Sequence, residues 1–592
     1  MRKLRLLVSI GLLLLSATSL HAQWSGTVDA SGGFGMMIGL RSLGETGKYP
    51  CHWLGKSSAS ILYKDSLYTW KTTLSGSFES VDKDYLKGES FHTEEDVTIN
   101  GYLSLSRNIP YSSQIRSEVA WNLGPGRSIT AWGQYHFDGS YAFNVNTVFD
   151  QDLNMGAYAD MRKSWNHNMG TGMNFTLRMD SPRRVLAGSF TYGHVSRRQS
   201  TEYYTVDMSD EENLWADVFR LTPRAITDQF NAVLHFKDSL LTGKVKLVLD
   251  PGLRMTGSRS FNENSGATAS GYLEGKEDYQ WRDSTEIREL FNFLSLDTEP
   301  YLAADLVTGP VRIHADYALK IYARELNDDI HKEGLHFMRP DLVGKSSINW
   351  KIASDHNVSL ANSLSVRYPT YLQVCWFDRS GGYIDRIYRG NPQLKPNKRH
   401  AFNFDYTFNH KRFTSSSSVS FSHSRNEIVQ TWFREEIDGR DYQVFTWVNG
   451  AESRTLGFSQ DFQWNGNVFM AGVGAEYNHA WRKREETDKV SKSDDWSFHA
   501  NAGVNMGKGW RADANVQYQS AVKSFFALFS DYCLLNAKVS KSFKNLTLYL
   551  EGRHLADIPQ NVRIESEDGK HINLEMSYLN RRVIILGCKW RF

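Results

Sequence analysis

The feature that most constrains the fold of this 592-residue chain is an alternation of apolar and polar residues with a period of two. It recurs along the whole chain, for example in Val311–Leu319, Phe402–Phe408 and Ala512–Tyr518. Successive side chains of a β-strand point to opposite faces, so these segments predict strands with one apolar and one polar face. A soluble β-sandwich gives the same alternation. The pattern therefore predicts an all-β fold, but it does not show whether that fold lies in water or in a membrane.

The two ends of the chain indicate those surroundings. Met1–Arg5 carries three basic residues, Leu6–Leu15 is apolar, and Leu20–Ala22 resembles a cleavage site. Residues 1–22 are therefore predicted to be a signal peptide, and residues 23–592 the exported protein. The last strand has a basic face that suits water, with Lys589 and Arg591, and an apolar face that suits lipid. The apolar face consists of Ile584, Leu586, Cys588, Trp590 and Phe592.

The lengths of the connections predict a closed barrel. Short polar or Gly/Pro turns recur near residues 237–243, 308–310, 409–411, 465–467, 507–509 and 543–545. Long polar segments, which predict loops, lie at residues 196–227, 258–297, 323–345, 367–398, 425–452, 483–494 and 556–580. Short turns at one end and long loops at the other are typical of outer-membrane barrels. We therefore expect a single closed antiparallel transmembrane β-barrel in the cell outer membrane. A count of the predicted strands gives 24, and the expected range is 20–24.

Two of the long segments carry helix signals. Asp283–Glu286 has the form of a capping box and precedes apolar residues at helical spacing, from Ile287 to Leu294. Ser209–Glu212 is a second box, followed by an apolar stripe from Leu214 to Phe219 and then by Pro223. The sequence therefore predicts short helices in these loops. They would pack on neighbouring loops or the barrel rim, or alternatively form a lid or a docking surface.

Composition and motifs exclude several functions. The net charge is +2 and no basic segment predicts a nucleic-acid partner. The four cysteines form no close pair, so no metal knuckle or disulfide framework is indicated. No catalytic or phosphate-binding motif occurs, and neither a cofactor nor a metal is expected. His314 and Asp316 share the predicted lumen face, but a catalytic pair there is a weak alternative. The acidic clusters at residues 328–329 and 435–439 are interpreted as solvated loop charge.

The predicted lumen face carries charges of both signs. It includes Arg312, His314, Asp316, Lys320, Asp405, Glu476, Arg511, Asp513, Glu551 and Arg553. No single sign dominates, so these residues predict no ion selectivity. A barrel of about 22 strands has a lumen that other proteins of this size plug. We therefore expect infolded loops, side chains that cross the lumen or a partner to occlude it.

Several segments of the C-terminal part resemble a known family. They are Arg367–Leu372, Gly390–Pro396, Asn426–Ile428, Leu534–Phe543 and Arg581–Gly587. They resemble the barrel of TonB-dependent receptors, in the variant common among Bacteroidetes, over about residues 340–592. Asn397 stands where the family usually has Glu. The resemblance implies 22 strands, and it implies that these segments are structural and touch no ligand.

The resemblance also implies a transport function, although this chain departs from the family pattern in its N-terminal part. Family members carry an N-terminal plug domain and a short box that TonB grips, whereas here alternation starts at Trp24–Ile38. Thr27–Ala30 is interpreted as part of the first strand. We expect transport or binding of a nutrient without a plug or TonB box of its own, or alternatively a scaffold or surface-binding subunit of a larger complex. Expected partners are outer-membrane lipid, the outer-membrane assembly machinery through Trp590 and Phe592, and a plug or lipoprotein.

Overall fold

The computed structural model describes most of the chain between Trp24 and Arg591. The described residues are 24–36, 51–65, 67–92, 97–149, 155–179, 183–207, 215–272, 280–330, 333–376, 378–380, 386–437, 439–484, 490–523, 527–556, 560–565, 571–577 and 583–591. The predicted signal peptide, Phe592 and the capping box Ser209–Glu212 lie outside them, so these predictions stay untested by the fold.

The described chain is almost entirely β-strand. It forms 29 strands in one sheet and a single four-residue helix, α1, at Tyr371–Val374. The strands are β1 (Trp24–Met36), β2 (Cys51–Lys64), β3 (Tyr68–His92), β4 (Val97–Asn122), β5 (Arg127–Phe149), β6 (Met155–Arg178), β7 (Arg184–Asp207), β8 (Trp215–Leu221), β9 (Arg224–Thr242), β10 (Val245–Tyr272), β11 (Arg282–Thr308), β12 (Val311–Asp328), β13 (Glu333–Ala353), β14 (His356–Arg367), β15 (Asp378–Ser380), β16 (Arg386–Arg389), β17 (Asn397–His410), β18 (Phe413–Ile437), β19 (Arg440–Asn465), β20 (Phe469–Arg484), β21 (Val490–Gly507), β22 (Trp510–Gln519), β23 (Val522–Lys523), β24 (Ala527–Phe529), β25 (Tyr532–Ser542), β26 (Leu546–Arg553), β27 (Gln560–Glu565), β28 (His571–Ser577) and β29 (Val583–Arg591).

The sheet closes on itself as a barrel of 22 strands. The first strand makes the closure, because β1 pairs antiparallel with both β2 and the last strand β29. Ala30 lies opposite Ser57 on one side and opposite Cys588 on the other. Thr27–Ala30 thus belongs to the first strand, as expected. The count of 24 strands from the sequence is wrong, and the number implied by the family resemblance is right.

The seven strands outside this count lie at the end of the barrel away from the short turns. β8 continues the line of β9 along β7, after a break at Thr222-Pro223. β23, β24, β27 and β28 form a chain of pairings that ends on β3, where His571 lies opposite Phe91. In this upper region β28 pairs with β3 directly. The described residues of β1 and β2 therefore close only the lower part of the barrel, whereas β28 takes the place beside β3 in the upper part.

The predicted short turns are confirmed at the opposite end. Strands meet there through connections such as Gly309-Pro310, Lys411-Arg412 and Lys508-Gly509. Gly509 has a φ of +81°, and a Cβ added there would lie 2.1 Å from the carbonyl oxygen of Ser542. A glycine is thus required by both conformation and space. Trp590 lies opposite Leu546, so the last strand ends at this short-turn end.

One face of each barrel strand is apolar and exposed. Leu302, Leu342, Leu360, Val473 and Leu586 all point outward and are 49–68% exposed, as lipid-facing residues of a membrane barrel must be. Buried apolar residues instead form small clusters at the inner wall and in the upper region. No helix among the described residues is long and apolar enough to cross a membrane.

The two predicted loop helices are wrong. Residues 287–294 lie within strand β11, and residues 215–219 lie within strand β8. Phe291 and Phe293 are buried on one face of β11, whereas Leu294 is exposed on the other. Over so few residues the same apolar positions fit both an amphipathic helix and an alternating strand. Hydrogen bonding to the neighbouring strands favours the strand. Pro223, expected to stop a helix, breaks the strand between β8 and β9.

Most of the predicted long loops are also strands. β10, β11, β4 and β19 contain 26–28 residues each, whereas a tilted strand needs only about 9–11 to cross a membrane. Residues 258–272, 282–297, 425–437 and 440–452, which belong to predicted long loops, are therefore upper extensions of barrel strands. Their polarity reflects that these extensions lie above the membrane and have water on both faces.

A charge placed on the outer face tests this architecture. Leu360 on β14 points outward, four residues above His356 at the short-turn end. We expect Leu360→Lys to destabilise the barrel by about 2–4 kcal/mol, because it places an ammonium group near the middle of the bilayer. The neighbouring Ser359→Lys points into the lumen beside Asp405 and should change stability by much less. Urea unfolding in lipid vesicles measures both, and equal losses would contradict the assigned faces.

Candidate functional site

The candidate site is the inner wall of the barrel together with the chain between β14 and β17. Residues 368–396, here called the infolded segment, contain α1, β15 and β16. On β12, Tyr322 and Leu326 share the lumen face with Lys320 and Arg324, since strand residues alternate. The segment contacts this face. The family motifs at residues 367–372 and 390–396 thus lie at the two ends of a segment that packs inside the barrel.

The first anchor of the infolded segment is apolar. Cys375 is fully buried and packs with Phe291 and Phe293 of β11 and with Leu326 of β12. The ring of Tyr371 lies 5.5 Å from the rings of both phenylalanines. Burial of this apolar surface holds the segment against the wall. The thiol therefore acts as a small hydrophobic side chain here.

The second anchor is a stack of two tyrosines. Tyr368 lies parallel to Tyr322, with 3.6 Å between ring centroids, and the Tyr322 hydroxyl donates to the carbonyl oxygen of Pro369 at 3.2 Å. The Tyr368 hydroxyl donates to Asp341 at 2.8 Å, and Lys398 pairs with the same carboxylate at 2.6 Å. Burial and the hydrogen bond to Asp341 raise the pKa of Tyr368 well above its ordinary value. The hydroxyl therefore remains a donor.

A group of charges lies next to this stack on the wall. Lys320 contacts Asp297 at 3.0 Å and Glu299 at 2.8 Å, and Arg324 contacts Asp297 at 2.6 Å. The Arg324 guanidinium also lies 3.5 Å from the ring centroid of Tyr322. These side chains are mostly buried, so each charge depends on its partner for compensation. The anchor is therefore both apolar and ionic.

The other end of the infolded segment is bound to β18 and β19. Arg389 donates two hydrogen bonds to the Asp378 carboxylate, from Nε at 2.6 Å and from Nη2 at 2.9 Å. Its Nη1 donates to Glu435 at 2.8 Å. The pairing with Asp378, strengthened by Glu435, raises the pKa of Arg389. Strand β16 pairs in parallel with β19, where Ile387 lies opposite Val444. The segment therefore joins the wall at β11–β13 to a strand several positions further round the barrel.

Amide groups complete this second attachment. The side chain of Asn391 donates to the carbonyl oxygen of Trp447 at 3.0 Å. Asn449 accepts from the backbone N–H of Lys395 at 2.6 Å and donates to its carbonyl oxygen at 2.9 Å. These bonds use residues of the Gly390–Pro396 motif. The motif is structural, as the family resemblance implied, because it fixes the segment to the barrel.

The predicted lumen charges do lie on the inner wall, and most of them pair with an opposite charge, whereas Asp405 and Glu476 accept from the neutral side chains of Ser418 and Asn478. Asp305 accepts from Arg312 at 3.0 Å and contacts His314 at 3.2 Å, whereas Asp316 pairs with Arg254 at 2.7 Å. His314 and Asp316 therefore have different partners and do not form a dyad. Further round, Arg511 pairs with Asp513 at 2.7 Å, and Glu551 pairs with Lys538 and Arg553.

A recess of about 400 Å³ lies in the wall near the short-turn end of β19–β26. Glycines help to form it, because Gly472 and Gly503 present no side chain to the lumen, and a Cβ at Gly503 would lie 2.8 Å from Asp513. The polar lining consists mainly of side-chain amides and of charges that are already paired: Gln463, Asn465, Asn501, Asn515, Asn536, Arg511, Asp513, Lys538 and Glu551. Such a surface suits a neutral polar solute.

The acidic clusters have structural roles. The Asp328 carboxylate accepts from the backbone N–H of Ile330 at 2.8 Å, and Asp329 accepts from the Asn292 side chain at 2.6 Å. Glu435 binds Arg389. Across the described part of the chain, no group of three or more His, Cys, Asp and Glu side chains is placed to hold a metal ion.

Sequence reasoning missed the anchors of the infolded segment. Tyr322, Asp297 and Asp341 lie on strands far apart in sequence from Tyr368, and only the pairing order of the strands brings them together. One signal was present, since Tyr368 and Cys375 are an aromatic residue and a small apolar residue within a predicted polar loop. Such residues need a buried surface, and here the inner wall provides it.

Comparisons with known proteins agree with this architecture. Residues 341–590 match the family model described as the outer membrane protein beta-barrel family. A search of curated proteins found no match.

Three solved structures illustrate the likeness in fold. The siderophore receptor PiuA from Acinetobacter baumannii has a TM-score of 0.61 at 12% identity, over 97% of this chain and 82% of the receptor. The ferric citrate transporter FecA has a TM-score of 0.57 at 9% identity, over 97% and 79%. The copper transporter OprC has a TM-score of 0.57 at 11% identity, over 97% and 84%.

The closed sheet, its apolar outer face and the family match define an outer-membrane β-barrel. Its fold is that of the TonB-dependent receptor barrels, which agrees with the resemblance of the C-terminal segments. The neighbours in fold are receptors and transporters rather than enzymes. The short-turn end is accordingly the periplasmic end, and the long strands extend to the outside.

The attachment of the infolded segment can be tested at Arg389. We expect Arg389→Gln to raise the amide hydrogen-exchange rate of residues 386–395 by about tenfold, because it removes three charge-assisted hydrogen bonds. Arg184→Gln, which breaks the exposed ion pair with Asp238 at the periplasmic end, is the matched control and should leave that rate unchanged. Mass spectrometry of the exchanged protein gives both values. Unchanged exchange in Arg389→Gln would show that the ion pairs do not hold the segment.

Proposed function

We propose that this barrel transports or binds a neutral polar nutrient at the outer membrane. The observation that carries the proposal is the inner wall, whose recess offers amides and self-neutralised ion pairs rather than a charge of one sign. A solute in this recess exchanges water for amide groups and meets charges that are already paired. The likeness in fold to siderophore, ferric citrate and copper receptors and transporters supports transport as the class of function.

The proposal includes how the lumen is kept from leaking. A barrel of this size needs an occluding element. In this proposal the infolded segment takes part of that role, since the residues that the structure describes form barrel strands and include no plug domain. A separate plug or lipoprotein partner supplies the rest. In this proposal the protein is not an enzyme, which agrees with neighbours in fold that are receptors and transporters.

A non-transporting scaffold is the alternative, and the infolded segment also favours it. Its two anchors are strong, and a segment held in this way would close the lumen permanently. The long upper strands would then present a surface to a partner at the outside of the cell. The two functions differ in whether the lumen can conduct.

Planar-bilayer recordings separate the two functions. We expect the purified protein to conduct weakly, and replacement of residues 371–389 by a short Gly-Ser linker to raise single-channel conductance severalfold, because the lumen loses its occluding segment. Removal of residues 92–97, at the tip of the β3–β4 hairpin, is the control and should leave conductance low. If no variant conducts and the protein purifies with a stoichiometric partner, the result would favour the scaffold function.

Assembly through the last strand is a further part of the proposal. Trp590 lies in β29, opposite Leu546 and Val28, at the seam that closes the barrel. The terminal Phe592 would be the residue that the outer-membrane assembly machinery recognises. We expect deletion of Phe592 to lower the amount of heat-modifiable, folded protein in outer-membrane fractions severalfold. An unchanged folded yield would count against recognition through this residue.

A further inference from the structure

Three cations lie close together on the lumen face of β13, β14 and β17. They are Lys345, Arg367 and Arg399, and the side chains of all three are exposed. Successive strand residues alternate between the two faces of the barrel wall. The outward positions of these strands are taken by exposed apolar residues such as Leu360 and Phe404. The three cations fall on the alternate positions and therefore point into the lumen.

The two arginines are diagonal neighbours on adjacent strands. Arg399 lies opposite Ser365, and Arg367, two residues beyond Ser365 on β14, lies opposite Asn397. Diagonal neighbours in a sheet are roughly 7–8 Å apart, which long side chains span. The residue directly opposite each arginine is neutral. The two guanidinium groups can therefore approach one ligand together, and no carboxylate lies opposite either of them.

Short side chains fill the space between the arginines and the lysine. Lys345 lies opposite Ser363, and Ser363 lies opposite Ala401 on the next strand. Within the part of the chain that the structure describes, the hydroxyls of Ser363 and Ser365 make no hydrogen bond. The three cations thus surround a low surface that offers free hydroxyl groups. The three cations with Ser363, Ser365 and Ala401 are here called the lumen patch.

The two carboxylates beside the lumen patch have other partners. Asp316 lies opposite Lys345 and pairs with Arg254 at 2.7 Å. Asp341, four residues from Lys345 on β13, pairs with Lys398 at 2.6 Å. With the residues that the structure describes, the three cations of the patch make neither an ion pair nor a hydrogen bond. The patch therefore retains three positive charges that no neighbouring carboxylate compensates.

Lumen cations on the neighbouring strands β10 and β12 show the contrast. Arg254, Arg312 and Lys320 each contact a carboxylate, at 2.7, 3.0 and 2.8 Å. The protein itself compensates those charges. The charge of the lumen patch has to be compensated from the lumen, and a wall region of one sign raises the local concentration of ions of the opposite sign. The patch is therefore suited to an anion.

From charge, register and free hydroxyls together, we propose that the lumen patch binds a small oxyanion with more than one negative charge, such as phosphate, sulfate or a dicarboxylate. Each guanidinium can donate two parallel hydrogen bonds to the oxygens of such an anion, and Lys345 adds a point charge. The serine hydroxyls donate from below. Arg367 ends β14 above the membrane centre, whereas the recess lies near the short-turn end. The two sites are separate, and this inference does not rest on the neutral solute.

Equilibrium dialysis of the purified full-length protein against radiolabelled sulfate tests the proposal. K345Q/R367Q/R399Q removes the three cations of the patch. K71Q/R162Q/K246Q removes three exposed lumen-facing cations on β3, β6 and β10, which are too far apart to share one ion, and is the matched control. Heat-modifiability on gels shows that each variant is folded. We expect sulfate to bind the first variant about tenfold more weakly than the wild type, and the control as tightly as the wild type.

A single substitution tests the patch with all three cations in place. Ser365→Glu puts a carboxylate directly opposite Arg399 and so supplies the counter-charge from within the protein. We expect it to weaken sulfate binding about tenfold, because the added carboxylate competes with the ion. Asn357→Glu, on the same face near the other end of β14, is the control and should leave binding unchanged. Equal binding by both variants would contradict the assignment of the site.

Competition against the labelled sulfate identifies the source of the anion. Phosphate and succinate should displace it, and the same concentration of chloride should not. Displacement by a sugar phosphate as well as by phosphate would assign the site to the anionic group of a larger solute, whereas displacement by the inorganic ion alone would assign it to the free ion. No sulfate binding by the wild type, equal binding by the two triple variants, or displacement by chloride would overturn the proposal.

Discussion

The structure depends on the requirement that every backbone polar group in lipid finds a partner within the protein. A sheet can meet this requirement only by closing, because an open edge would expose N–H and C=O groups to hydrocarbon. Closure here is made by the first and last strands, with β1 held between β2 and β29. The outward residues can then be apolar and exposed, and the inward residues are free to carry charge.

The inner wall of the barrel carries charged side chains, which the closed sheet allows. Most of its predicted charges occur in opposite pairs, such as Arg511 with Asp513 and Glu551 with Lys538. Some of these pairs also hold the infolded segment, whose Tyr368 and Arg389 are bonded to wall residues at its two ends. Structural and lumenal roles therefore share the same side chains. A change that releases the segment also removes the hydrogen bond from Tyr368 to Asp341, which is 6% exposed and then has only Lys398 as a partner.

Much of the fold could be predicted from the sequence, because alternation is a local property. The closed barrel, the short turns at Gly309 and Gly509 and the lumen face of Arg312–Lys320 all follow from it. Residues 215–219 and 287–294 form strands rather than the predicted helices, because apolar spacing over two turns fits both structures and strand pairing decides between them. The count of 24 strands exceeded the observed 22, although the expected range of 20–24 includes that number.

The candidate site was less accessible to sequence reasoning. Paired charges such as Arg254 and Asp316 are 62 residues apart, and their contact follows only from strand order. The sequence did predict that an element must occlude so wide a lumen, but it could not name Tyr368–Pro396 as that element.

The central claim is that the described parts of the infolded segment, residues 368–376, 378–380 and 386–396, pack against the inner wall of the closed barrel. Cysteine crosslinking tests it directly, using the natural Cys375 with Leu326→Cys, and Ala323→Cys on the outer face of the same strand as control. A protease site introduced at the periplasmic turn Ser354-Asp355 lies between the two positions in sequence. After mild oxidation and cleavage, the account predicts that the two fragments of the Leu326→Cys variant stay joined on a non-reducing gel, and that those of the control separate. Separation of the fragments in both variants would contradict the account.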